Sequence, residues 1–170
     1  YLKNIASDYT EIFINFWDIV LTWLWNNIYD GVILDREGIA RIRNISKRMP
    51  FVIIPCHRSH IDYFLLSYVF YKNNIQLPFI WAGENLSFFP VGYLFRKSGA
   101  FFVWRTFRGN ALYGEVLAKY VKMLLKEGLP LEFFIEGGRS RTGKMAMPKY
   151  GVLSMIIQAF QDKACDNLAA

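Results

Sequence analysis

Cysteine and histidine are scarce in this chain, two of each in 170 residues. Two cysteines, Cys56 and Cys165, cannot make a disulfide framework, so the sequence reads as one kept in a reducing compartment. None of the usual metal-ligand spacings occurs, which takes a metal centre out of the first readings. Charge is thin too: 20% of residues are Asp, Glu, Lys or Arg, against roughly 25% in ordinary soluble domains. The apolar run from Ile12 to Trp25 carries Asn15 and Asp18 and falls short of the ~20 residues a spanning helix needs. No signal peptide, internal repeat or low-complexity segment is recognisable.

What is present is apolar and aromatic, at 54% hydrophobic and 18% aromatic residues. So little charge cannot cover a whole surface, which points to a partner interface or a bilayer. The net charge of +6 favours anionic partners: phosphate esters, coenzymes, lipid headgroups or nucleic acid. The length suits one compact domain, and a start on Tyr1 rather than Met leads us to expect a domain cut from something longer. The Ile12–Trp25 run reads as an amphipathic or buried helix. Its Trp17, Trp23, Trp25 and Tyr29 suit an interfacial belt, a core helix or a protein–protein seam.

A break at Tyr29-Asp30-Gly31 and a charged stretch from Asp35 to Arg48 lead into alternating strand and helix runs. Strands are expected at Phe51–Pro55, Leu77–Trp81, Gly99–Trp104 and Leu131–Ile135. Helices are expected at Asp62–Lys72, Ser87–Lys97 (interrupted by Pro90), Asn110–Lys126 and Pro148–Asp162. The strands are continuous apolar runs, as in a sheet covered on both faces, so an α/β fold with a largely parallel central sheet flanked by helices is expected. Residues 1–48 form an N-terminal helix and charged lead-in, and 49–170 a core that we expect to be incomplete at its C-terminus. Ligands in such folds gather at the carboxyl ends of strands.

Three segments at those ends carry chemistry. His57-Arg58-Ser59-His60-Ile61-Asp62 follows the first strand. Five residues of continuous helix turn through about 500°, so His57 and Asp62 can meet only if His57 precedes a helix that Asp62 begins. In that geometry Asp62 would accept from Nδ1–H of His57 and leave Nε2 as a general base. Ser59-x-x-Asp62 reads equally well as a capping box in which Asp62 serves the helix dipole. His60 is the weaker histidine. Cys56 should face away from His57, since neighbouring strand residues point oppositely.

The second segment is Gly99-Ala100-Phe101-Phe102-Val103-Trp104-Arg105, with Arg108 beyond it. A guanidinium at the end of an apolar strand is expensive to bury unless it meets an anion, either a ligand or a carboxylate such as Glu115. The third is Glu136-Gly137-Gly138-Arg139-Ser140-Arg141-Thr142-Gly143-Lys144, whose glycines and cations compose a phosphate site. Gly138-x-x-x-x-Gly143-Lys144 nearly spells a P-loop. Met145 stands where the magnesium-holding Ser or Thr belongs, and Pro148 interrupts the helix that should follow. Glu84 and Asn85 are polar, but spacing assigns them no role.

Together these segments resemble the glycerolipid acyltransferase family, whose blocks run H-x-x-x-x-D, G-x-x-F-[IV]-x-R, [FVI]-x-E-G-x-R-S-R and a proline-bearing fourth. Here they stand in order as His57/Asp62, Gly99/Phe102/Arg105, Ile135 to Arg141 and Met147-Pro148-Lys149-Tyr150-Gly151. The resemblance covers roughly residues 29 to 160. It runs longest toward the bacterial glycerol-3-phosphate 1-O-acyltransferase branch, through His57–Tyr63, Gly99–Phe107 and Glu136–Lys144.

The resemblance implies transfer of a fatty acyl group from coenzyme A or acyl carrier protein to the C1 hydroxyl of glycerol 3-phosphate, giving lysophosphatidate. His57 would be the base and Asp62 its partner, with no metal, no cofactor and no covalent acyl-enzyme. Arg105, Arg139, Ser140 and Arg141 would hold substrate, with Glu136 and Gly137 shaping that site and Pro148 serving the acyl donor or the shape of the site. It also implies a membrane surface as partner, at the cytoplasmic face of the inner membrane, and no nucleic acid. One departure is Trp104, where this branch often has a second arginine. The alternative from another class is a non-catalytic basic module binding anionic lipid or nucleic acid, which leaves the His–Asp placement unexplained.

Overall fold

The computed structural model of the chain describes residues 1–59, 61–104, 106, 109–140, 142 and 144–170. Four strands form one parallel sheet: β1 (Val52–Ile53), β2 (Phe79–Gly83), β3 (Ala100–Val103) and β4 (Leu131–Glu132), in the order β1-β4-β2-β3. β4 is therefore the inner strand that joins β1 to β2, with Glu132 opposite both Ile53 and Ile80. The all-parallel sheet agrees with the continuous apolar runs, and β3 is buried along its whole length.

Helices cover both faces. On one side α6 (Ala111–Lys126) and α7 (Gly151–Gln161) close the main core, where Leu117, Val121, Leu124 and Leu125 meet Phe101, Leu131 and Phe133. A short α1 (Leu2–Ile5) joins this side through Ile5. On the other side lie α2 (Glu11–Asn27), α3 (Arg36–Ser46), α4 (Asp62–Lys72) and α5 (Val91–Lys97). There Phe51, Val69, Phe70 and Ile75 form one cluster, and Ile80, Ala82, Ala100 and Phe102 another.

The elements differ from expectation mostly at their ends. β1, β3 and β4 are shorter than the apolar runs, because pairing stops where the chain leaves the sheet for the site; Phe133, Phe134 and Ile135 are buried but beyond β4. β2 starts two residues later than expected, after Pro78, which has no N–H to give a ladder. The charged lead-in is a helix, α3, whose N-cap Asp35 accepts from Glu37 N–H at 3.1 Å. α7 begins at Gly151, three residues past Pro148.

α2 is amphipathic, one of the two forms expected of the Ile12–Trp25 run. Ile14, Leu21 and Trp25 are buried, and Trp17 donates its indole N–H to Ser98 Oγ at 2.8 Å. The outer face carries Ile12, Phe16, Ile19 and Trp23, exposed by 79%, 48%, 72% and 58%. Those positions recur at helical spacing, so the exposed residues form one apolar stripe. No described helix is long and apolar enough to cross a membrane.

Candidate active site

β1 ends at Ile53, and the chain runs through Pro55 and Cys56 to His57 before α4 begins at Asp62. Cys56 is exposed and His57 is 5% exposed, the opposed orientation expected of neighbours. The imidazole is clamped between rings: it stacks on Phe134 at 4.0 Å and meets the edge of Tyr63 at 5.2 Å. Tyr63 and Phe134 also meet edge to face at 4.8 Å. These two aromatics are the residues that motif reading passed over. Their signal was position, one directly after Asp62 and the other two before Glu136.

Asp62 is the first residue of α4, as the two-residue geometry required. Its Oδ2 accepts from the backbone N–H groups of Arg58 and Ser59 at 2.7 and 2.8 Å. The Ser59 bond is half of a capping box, so that reading of the motif is realised in the structure. Ser59 is not itself the N-cap of α4, which is Ile61; its Oγ instead accepts from Ile61 N–H at 3.3 Å. The loop is thereby tied to the helix start by three bonds.

Glu136 ties it to the far loop. It is 3% exposed, with Oε1 accepting from His57 N–H at 3.0 Å and Oε2 from Ala146 N–H at 2.8 Å. Those two backbone donors hold its carboxyl below the usual carboxylate range. Ser140 N–H donates to His57 carbonyl at 2.8 Å, and the Ser140 hydroxyl donates to Lys144 carbonyl. Lys149 N–H donates to Ile135 carbonyl at 2.7 Å. The first, third and fourth blocks are thus one hydrogen-bonded unit around His57.

The cations of this unit face outward. Arg139 and Lys144 are exposed, and Lys149 lies across Gly137, where an added Cβ would sit 2.9 Å from its Cδ. Gly137 has φ +61°, a conformation that glycine adopts without strain. Pro148 is half-buried beside Lys149, a lysine that sequence reading had quoted only as part of its block. Arg105, Arg108, Arg141 and His60 lie outside the described residues. Trp104 stacks flat on Tyr113 at 4.2 Å and 6°, filling with an aromatic sandwich the position where a second arginine was looked for. Glu115, one candidate partner for an arginine, pairs with Lys119 at 2.9 Å.

Behind the site an apolar cleft opens between α2, α4, α5 and the sheet. Tyr63, Phe64, Leu21, Leu86, Phe95 and Ala100 help to line it. Tyr63 therefore has one side on His57 and the other on this cleft. Its phenol is pushed up to about 12 by burial and by the nearby carboxyls of Glu132 and Asp62, so it stays neutral.

A buried histidine fixed at a strand end, an acidic residue starting the next helix and a cationic loop define an acyltransferase core, and the chain belongs to the acyltransferase family, whose model matches residues 38–166. Among its relatives, glycerol-3-phosphate acyltransferase of Pseudomonas fluorescens (strain SBW25) is 47% identical over 160 residues, or 94% of this chain and 19% of the relative. The enzyme of the same name from Ectopseudomonas mendocina (strain ymp) has the same identity and coverage. The chain thus spans about a fifth of the length of the curated relatives it matches, 19%. A solved structure, the 1-acyl-sn-glycerophosphate acyltransferase of Thermotoga maritima, superposes with a TM-score of 0.48 at 18% identity, covering 87% of this chain and 69% of that one.

Proposed function

We propose that this chain carries the catalytic core of a glycerol-3-phosphate 1-O-acyltransferase. The observation that carries the reading is the hydrogen-bonded unit that gathers His57, Asp62 and the Glu136–Lys144 loop at one end of the parallel sheet. The kinship with enzymes printed under that name supports the choice of substrate.

In this reading His57 takes the proton of the glycerol C1 hydroxyl as that oxygen bonds to the thioester carbonyl carbon. Asp62 stabilises the imidazolium. When the C–S bond breaks, His57 returns the proton to the leaving thiolate, so no covalent acyl-enzyme forms. The phosphate is held by Arg139 and, from beyond the described residues, Arg105 and Arg141, with Ser140, Glu136 and Gly137 shaping the loop and Lys149 a further cation at its edge. Pro148 sets the entry of the fourth block. The cleft behind Tyr63 gives the acyl chain an apolar direction to follow.

The outer stripe of α2 supports work at a membrane surface, since Ile12, Phe16, Ile19 and Trp23 form one exposed apolar line, and the use of acyl thioesters suits the cytoplasmic face. Acyl transfer from coenzyme A and from acyl carrier protein to radiolabelled glycerol 3-phosphate tests the reading in full-length protein. Lysophosphatidate should form and fall roughly 10²–10⁴-fold in His57→Ala. A fully active His57→Ala protein would overturn it.

A further inference from the structure

Glu132 is the most deeply buried acid among the described residues, at 0% exposure, and neither of its carboxyl oxygens has a hydrogen-bond partner. It sits on the inner strand, flanked in register by Ile53 of β1 and Ile80 of β2, so both sheet neighbours beside it are apolar. The ionisable groups that act on it come from α4: Asp62 and, through mutual repulsion, the Tyr63 hydroxyl. The charge of Arg139, in the loop beyond β4, acts on Tyr63 in the opposite sense to the carboxyls. Glu136, on the same segment, is turned to His57 and Ala146 instead.

A carboxyl buried with no partner is a costly thing for a sheet to hold, and a leucine would fill the place without that cost. Groups of this kind are expected where they serve a site. The site is adjacent: Phe134, two residues on and so on the same side of the extended chain, stacks on His57 at 4.0 Å, and the carboxyl acts through its charge on Asp62 and Tyr63.

We propose that Glu132 is a positioning residue of the transfer reaction, a partnerless carboxyl in the floor of the site that acts on His57 through Asp62 by keeping a further buried anion away from it. This rests on the acyltransferase reading above. While Glu132 keeps its proton, the imidazolium formed in the transition state meets the charges of Asp62 and Glu136 and no third one from the floor. When Glu132 ionises, a further buried anion faces Asp62, the base holds its proton too tightly to return it to the thiolate, and turnover falls. Burial, together with the charge of Asp62, pushes Glu132 up to about 8, which places that loss on the alkaline side of neutrality.

The test is the pH profile of kcat for the full-length protein and its Glu132→Gln variant. The wild type should lose activity above about 8, by tenfold per pH unit, as Glu132 ionises. Glu132→Gln should hold kcat level from pH 7 to pH 9, relative to its own value at pH 7, because it carries a neutral amide throughout. The same alkaline limb in Glu132→Gln would overturn the proposal, since a residue that only fills space cannot move it. Should that variant fail to fold, the protonated-carboxyl infrared band of the wild type is followed with pH. A midpoint coincident with the kcat limb supports the proposal, and midpoints more than one unit apart overturn it. A wild type that transfers nothing at any pH brings down the acyltransferase reading and this inference with it, whereas an active protein with an unmoved limb sinks this inference alone.

Discussion

Two carboxylates four residues apart, Glu132 in the floor of the site and Glu136 in the loop above it, live in opposite electrostatic worlds. Both are buried, at 0% and 3% exposure. Glu136 meets two backbone N–H groups and is held in its charged form, while Glu132 meets no donor and is held neutral up to about 8. Burial by itself therefore says little about charge. What decides is whether the chain turns donors toward the group, and it does so in the loop, where N–H groups are released from the ladder.

The contrast can be broken most forcefully at Glu136. Glu136→Ala leaves the N–H groups of His57 and Ala146 without their acceptor, and each costs about 1–3 kcal/mol. Denaturant unfolding should register several kcal/mol in all, with acyl transfer lost as the blocks separate.

Next in size is the pH dependence of folding. Glu132 has a folded value of about 8, above its ordinary 4.5. Between those values the unfolded chain gives up a proton that the folded chain keeps, so this carboxyl lowers stability as pH rises from about 4.5 to about 8, with no further change above. At ~1.4 kcal/mol per unit the loss has an upper limit of about 4–5 kcal/mol. Glu132→Gln should abolish that slope in urea midpoints measured across the range. Glu136 works the other way: its folded value is lowered, so its contribution is present above the ordinary carboxylate range and fades as acid protonates it.

Smaller effects sharpen the comparison. Phe134 lies between the two carboxylates in sequence and carries the His57 ring at 4.0 Å. Phe134→Leu should cost about 0.5–1.5 kcal/mol in lost ring contact, and acyl transfer should fall further than that stability loss explains. Smallest in stability is Asp62→Asn, which keeps an acceptor for Arg58 and Ser59 N–H and removes the charge. Unfolding should shift by less than about 1 kcal/mol, the usual scale of a whole cap, while transfer collapses. Asp62→Ala should lose both, which separates capping from catalysis at one position.

Sequence reasoning located the helices well where periodicity and caps coincide. Asp62–Lys72 matches α4, and Asn110 is the N-cap of α6, accepting from Tyr113 N–H. It missed α3, because a charged segment with a good N-cap was read as a lead-in. It also lengthened β4: an apolar run records burial, and Phe133 to Ile135 are buried beyond the strand, with only a last bond from Phe133 N–H to Ile53 carbonyl at 3.1 Å continuing the ladder. For the site, spacing alone left Asp62 divided between cap and catalyst, and the structure gives it capping bonds through Oδ2. Glu132 was invisible among apolar neighbours, since nothing in Leu131-Glu132-Phe133 says that the carboxyl points inward to no partner.

The strand order carries a consequence for how the protein is made. β1 pairs with β4 on one side and meets Ala169 through a bridge at Phe51 on the other, both later in the chain, and His57 N–H finds its acceptor 79 residues further along. At ~5–20 residues per second on the ribosome, the segment bearing His57 waits about 4–16 seconds for the strand and loop that will hold it. During that interval β1 is an unpaired apolar edge and the histidine has no fixed place. The proposed site is thus the last part of the sheet to be assembled, and a nascent chain halted before Leu131 should expose β1 to proteolysis and to holding chaperones, where one extended past Ala169 should not.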